Sequence, residues 1–116
     1  MDNCIFCKIA RGEIPARKLH EDEQMVAFGD LRPQAPVHLL IIPKRHIESL
    51  AECTESDAAL LGSMLALAPR LAREQGSPDG FRTIINTGRV GRQEVYHLHI
   101  HVLGGPEPIP GPMVGH

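Results

Sequence analysis

Residues 96–105 read "YHLHIHVLGG", with histidine at every second position, apolar residues between, and a glycine pair behind. A repeat of two is the repeat of a β-strand. The run predicts a strand over Val95–Leu103 with His97, His99, His101 and Leu103 on one face and Leu98, Ile100 and Val102 on the other. Strand rise alone sets successive imidazoles roughly 6.5–7 Å apart, too far for ring-to-ring hydrogen bonds but suited to surrounding a small anion. Burying three imidazoles without partners is costly, so this face should hold a polar site. Histidines on one strand also fit a metal centre or a hydrogen-bonded core. Asn86, Thr87, Gln93 and the loop amides of "NTGRVGRQEV" just upstream favour phosphate oxygens over a metal shell.

Outward from this run, "VHLLIIP" (Val37–Pro43) is a continuous apolar stretch of the kind found in a central, buried strand. Lys18–Glu21, Met25–Phe28 and Phe81–Asn86 also read as extended, with "EDEQ" a turn and "DLRPQAP" a proline-punctuated loop. After the Cys4/Cys7 doublet the chain has room for one short helical turn, stopped by Gly12 and Pro15. Thr54 or Ser56 can cap a long helix that carries Glu55 and Asp57 in its first turn and stops at Gly76. Its apolar surface is wide enough to meet a sheet and another chain, or to sink into its own core. Pro69 should bend this helix or end it early. Strands, then helix, then strands with hairpin-type connections predict an antiparallel α+β sheet, not a parallel Rossmann arrangement.

The chain has 116 residues, enough for one domain spanning 1–116, with a Gly/Pro-rich tail from about 104 that is neither helix nor strand. Aromatics make up only 3%, so aliphatic side chains must build the core. A formal charge of -2 without a long basic block argues against duplex nucleic acid or an anionic membrane as partner. No signal-peptide pattern or membrane-length apolar run is present, which gives a soluble, cytoplasmic expectation. Three cysteines in such a chain do not suggest a disulfide framework, and Cys53 reads as a free thiol.

"HLHIHVL" matches the pattern His-φ-His-φ-His-φ-φ, with φ apolar, and the likeness extends through "CIFCKIARGEIPA", "DLRPQAPVHLLIIPKRHIESL" and "NTGRVGRQEVYHLHIHVLGG". On these segments the chain resembles the histidine-triad family. It looks most like the bacterial members of the Hint branch, the purine nucleoside phosphoramidate hydrolases. The resemblance implies a sheet of about five strands with one long helix and a short N-terminal helix. It further implies a homodimer whose helices pack together and whose sheets join.

The implied activity is hydrolysis at the phosphorus of a purine nucleoside 5'-phosphoramidate. His99 would be the nucleophile, His97 would orient it, and His101 would contact phosphate and leaving group with support from His38. Asn86 and Gln93 would hold phosphate oxygens and Asp30 the ribose, while Phe6, Phe28, Leu31 and Leu40 would line the base slot. Glu94 stands where animal relatives place a serine that donates to the leaving group. Arg92 stands where a glycine usually precedes the glutamine, and would either reach the phosphate or point to solvent. Gly29 replaces a histidine, and the tail has no tryptophan.

Cys4, Cys7, His46 and His97 supply four ligands of the kind a closed structural zinc site uses, as many relatives do; a redox pair is the rival reading of the doublet. No cofactor is required for the chemistry itself. Two other functions fit the same residues: dinucleoside polyphosphate hydrolysis, and a nucleotide-binding regulatory module with incidental hydrolysis.

Overall fold

The structure, a computed structural model, describes residues 3–111 and residue 114. In chain order it contains α1 (Ile5–Ala10), β1 (Lys18–Glu21), β2 (Met25–Gly29), β3 (Val37–Pro43), two 3₁₀ turns (Leu50–Glu52 and Glu55–Asp57), α2 (Ala58–Gln75), β4 (Arg82–Ile84) and β5 (Ile100–Gly104). The strands form a single sheet in the order β1-β2-β3-β5-β4, and every neighbouring pair is antiparallel. The α+β expectation holds, and no described helix is long and apolar enough to cross a membrane.

β3 is buried at all seven positions because it has a strand on each edge and a helix on each face. Val37, Leu39 and Ile41 pack with Met25, Ala27, Ile100 and Val102 against Met64, Ala68, Leu71 and Ala72 of α2. On the other face Leu40 and Ile42 pack with Val26 and Phe28 against Phe6 and Ile9 of α1. Each such aliphatic side chain contributes about 1.5–3 kcal/mol when removed from water. Strand alternation thereby sends His38 to the α1 side of the sheet, along with His101 of β5. The register pairs Leu40 with His101 and His38 with Leu103, which makes His38 and His101 diagonal neighbours.

α1 begins earlier than expected, because Cys4 is its N-cap: the Cys4 Sγ accepts the Cys7 N–H at 3.4 Å. The Cys-x-x-Cys doublet thus opens the helix, one turn apart, where the sequence placed the helical turn after it. α2 is entered through a capping box in which Thr54 and Asp57 bond each other's backbone, and it leaves at Gly76 with φ +110°. It runs through Pro69 to Gln75, forgoing one hydrogen bond, that to the Leu65 carbonyl. Leu65 itself is 45% exposed, so the apolar surface of α2 is wider than the sheet covers.

Two strand expectations are corrected. β4 is three residues, not the six of 81–86. β5 starts at Ile100, not Val95, since the segment before it bonds elsewhere: the Leu98 N–H donates to the Ile47 carbonyl at 2.7 Å. After β5 the chain turns away through residues 105–111 without helix or strand; residues 112, 113, 115 and 116 of the expected tail lie outside the described residues. Gly104 is required by packing, because a Cβ there would sit 2.1 Å from the Ser77 Oγ.

Candidate active site

Where α1, the loop after β2, the loop after β4 and the run into β5 converge, they enclose a cavity of about 450 Å³. Its walls include Phe6, Phe28, Leu31 and Leu40 on the apolar side, and Asp30, Asn86, Glu94, His99 and His101 on the polar side. A larger cleft of about 620 Å³ lies at the far end of β4 and β5, around Phe81 and Pro106, and contains none of the histidines. Ile5, Ile9, Arg32, Gln34, Arg92 and Val95 also line the first cavity. Of these only Arg92 is marked by the sequence. Ile5 and Ile9 are spaced four apart on one helix, a signal that was readable once the helix start was known.

Hydrogen bonds make the three triad histidines unequal. The His97 Nε2 lies 2.8 Å from the Pro43 carbonyl, which only accepts, so Nε2 carries the proton and Nδ1 keeps its lone pair. By the same logic His99 donates Nδ1–H to the His97 carbonyl at 2.7 Å. Its Nε2 is therefore unprotonated in the neutral ring, and it is not a buried orphan, so it opens on the cavity. Such a nitrogen can accept a proton or bond an electrophile.

For His101 the proton order runs through a relay. The Gln34 backbone N–H donates to the His38 Nδ1 at 3.0 Å, which puts the His38 proton on Nε2. That nitrogen lies 2.9 Å from the His101 Nδ1 and 3.4 Å from the Asp30 Oδ2. His101 accepts there and presents Nε2–H outward, a donor for an anionic oxygen. Asp30, His38 and His101 are close enough together to hold a metal ion, but the Gln34 N–H favours the relay, since metal on the His38 Nε2 would force a second hydrogen onto Nδ1. Ring centroids of His99 and His101 stand 5.0 Å apart, closer than strand rise predicts, because regular strand begins only at Ile100.

Gln93 does not line the cavity. Its Nε2 donates to the carbonyls of Glu48 (2.8 Å) and Val95 (3.0 Å), and its Oε1 accepts the Gly88 N–H (2.9 Å). Both amide hydrogens are engaged, so the side chain expected to donate to phosphate has no donor left in this arrangement. It ties the 87–93 loop to the rest of the fold.

Burial, ahead of repulsion from the His99 and His38 rings, brings the His101 pKa down to about 4; burial also lowers His38 and His97. These rings fold in the neutral form. The unfolded chain, with histidine near 6.5, takes up protons first as pH falls. Their stabilising contribution is complete above about pH 6.5 and is lost as pH drops toward 4. Thermal unfolding between pH 7.5 and 4 should show the melting temperature falling through this window, with His101 responsible for about 1–3 kcal/mol. A His101→Gln variant should show a shallower fall; an identical pH slope would remove His101 from that account.

Beside the cavity, Cys4, Cys7, His46 and His97 bring four ligand atoms within 4.8 Å of one another. The Cys4 Sγ and Cys7 Sγ lie 3.3 and 3.5 Å from the His97 Nδ1, and the Cys7 Sγ lies 3.3 Å from the His46 Nδ1. Tetrahedral coordination at zinc-like bond lengths needs sulfur–nitrogen edges of about 3.5 Å. The donor set and its spacing fit such an ion, and the His97 Nδ1 lone pair is already aimed at it. Burial, then the neighbouring Cys4, pushes the Cys7 thiol pKa up, a cost that a bound cation would reverse.

Comparison with known proteins agrees with this geometry. The family model described as "Scavenger mRNA decapping enzyme C-term binding" matches residues 3–113. The chain is 56% identical over 106 residues to Protein HitA of Neisseria gonorrhoeae, covering 91% of this chain and 99% of that one. Among solved structures it is similar to a HIT family hydrolase from Legionella pneumophila, at 51% identity and a TM-score of 0.86, covering 90% of this chain and 95% of that one. It is also similar to a zinc-bound histidine triad family protein from Mycobacterium smegmatis, at 34% identity and a TM-score of 0.77, covering 90% and 76% respectively. With the triad on one side of a five-stranded antiparallel sheet and a likeness that spans nearly all of its length, the chain belongs to the histidine-triad family.

Proposed function

We propose that the protein is a hydrolase that cleaves the P–N bond of purine nucleoside 5'-phosphoramidates, of the AMP-NH2 and AMP-lysine type. The observation that carries this reading is the 2.7 Å hydrogen bond between the His99 Nδ1 and the His97 carbonyl, which leaves Nε2 of the neutral ring to face a cavity that His101 also lines. In the first step the Nε2 lone pair forms a bond to phosphorus, the P–N bond breaks, and the departing amine takes a proton. In the second, water adds to phosphorus and releases His99. At neutral pH His101 is a neutral donor; an anionic phosphate beside it would favour its protonated form, from which the leaving amine draws its proton. Asn86 and loop amides hold the phosphate oxygens, Asp30 accepts the ribose hydroxyls, and the four apolar wall residues take the base. His38 orders the proton on His101.

Cys4, Cys7, His46 and His97 would hold a structural zinc ion, which would fix the His97 backbone that aims His99. The proposed dimer joins α2 to its copy through the surface around exposed Leu65 and joins the sheets at β4, whose edge carries Ile84 beside exposed Phe81. The proposed setting is the cytoplasm, with no role for nucleic acid or membrane.

The test is a side-by-side assay on an adenosine 5'-phosphoramidate and on diadenosine polyphosphates. The expected result is a kcat/KM for the phosphoramidate at least about tenfold higher, a difference of about 1.4 kcal/mol in transition-state stabilisation. Faster polyphosphate turnover would assign the protein to that activity instead. Nucleotide binding without turnover of either would support the regulatory reading.

A further inference from the structure

Among the described residues Arg92 is the only non-glycine with a left-handed backbone, at φ +60°. This explains why glycine is usual there: a side chain in that region costs roughly 1 kcal/mol and persists only where the surroundings impose it. The surroundings do impose it. The Arg92 N–H donates to the Arg89 carbonyl, the Gln93 N–H to Gly88 and the Gly91 N–H to Thr87, while the Gln93 amide anchors the loop to Glu48 and Val95. A constrained loop therefore delivers a cation to the cavity wall beside Asn86, Glu94 and the histidines.

Its charge has no ion-pair or hydrogen-bond partner there among the described residues, although Glu94 lines the same wall. Displacement at phosphorus runs in line, with the leaving group opposite the nucleophile. His99 is buried while Arg92 and Glu94 line the same cavity and are exposed, as are Leu31 and Arg32, so a group leaving away from His99 toward solvent passes a wall to which Arg92 and Glu94 contribute. Glu94 alone would repel an anionic leaving group. Arg92 offsets it, and its planar guanidinium matches a carboxylate.

Resting on the phosphoramidate reading, we propose that Arg92 is a specificity-determining residue that recognises a carboxylate on the amine leaving group. The substrates it favours are phosphoramidates of amino acids with a free carboxylate. The test uses a matched pair, the adenosine 5'-phosphoramidates of alanine and of alaninamide, which differ in that one charge, with wild type, Arg92→Gly and Arg92→Lys. The ratio of kcat/KM, alanine over alaninamide, should fall about three- to fivefold in Arg92→Gly, the range of a solvent-exposed ion pair. Arg92→Lys, which keeps the charge and loses the fork, should fall between wild type and Arg92→Gly, and the wild-type preference should shrink in ~1 M salt, where screening acts over about 3 Å. An equal fall on both substrates would place Arg92 on the phosphate and overturn the proposal, and unchanged rates on both would leave it facing solvent and overturn it equally. Absence of turnover of either substrate by wild type would instead remove the phosphoramidate reading, and this inference with it.

Discussion

His99→Ala should lower kcat on an adenosine phosphoramidate by about 10³-fold or more, since removing a nucleophile leaves only binding and electrostatic assistance. Steady-state kinetics against the same substrate gives the number, and calorimetric titration with AMP separates chemistry from binding. AMP affinity should stay within about tenfold of wild type, because the apolar wall, Asp30 and the His101 donor remain. The physical basis is the hydrogen bond to the His97 carbonyl, which makes Nε2 the only nitrogen of His99 free to attack. Turnover by His99→Ala at the wild-type rate would sink the covalent route. Loss of both turnover and AMP binding, with the fold intact by circular dichroism, would show His99 to be a binding group and would sink it equally.

The sheet was readable in the sequence wherever burial imposes a pattern. β3 is apolar on both faces, and its position in the middle of the sheet is what a continuous apolar run predicts. Period-two alternation rightly separated the face of Ile100 and Val102 from that of His101. It failed at Val95–His99, where the sequence still alternates but the backbone bonds to the Ile47 carbonyl instead of a ladder. The alternation there is one of residue type and not of burial, since His97, Leu98 and His99 are all buried, so a polar–apolar repeat alone does not distinguish this segment from a strand. The site shows the same division. Side chains with strong chemical character were legible, and the nine expected wall residues other than Gln93 line one cavity. What the sequence could not show are contributions from the backbone: the Gln34 N–H that orders the His38 proton, the Pro43 carbonyl that orients His97, and the internal engagement of the Gln93 amide.

Cys7→Ser should cost the protein its metal, its thermal stability and part of its catalytic rate, in that causal order. Cys7 is the hub of the cluster, with its sulfur beside both the His46 and the His97 Nδ1. A serine oxygen in its place is a poor ligand for a soft-to-borderline ion and leaves two imidazoles and one thiolate around an incomplete shell. Elemental analysis of the purified wild-type protein should give about one zinc per chain and Cys7→Ser little. The domain has its own two-sided core, so the variant should still fold. It should lose about 3 kcal/mol of ligand-linked stability, or roughly 10 °C in melting temperature for a chain of this size. Chelation of wild type should reproduce that shift without any substitution. The kinetic consequence follows from one carbonyl: His97 is held by its ring, and its backbone oxygen aims the ring of His99. Loosening His97 should therefore lower kcat by about tenfold while KM, set by the base and ribose contacts, changes little. Equal metal content and equal melting temperature in wild type and Cys7→Ser would show that the four residues are a packed thiol–imidazole cluster and not a metal site. A rate loss without any change in metal would place Cys7 in the architecture of His97 alone.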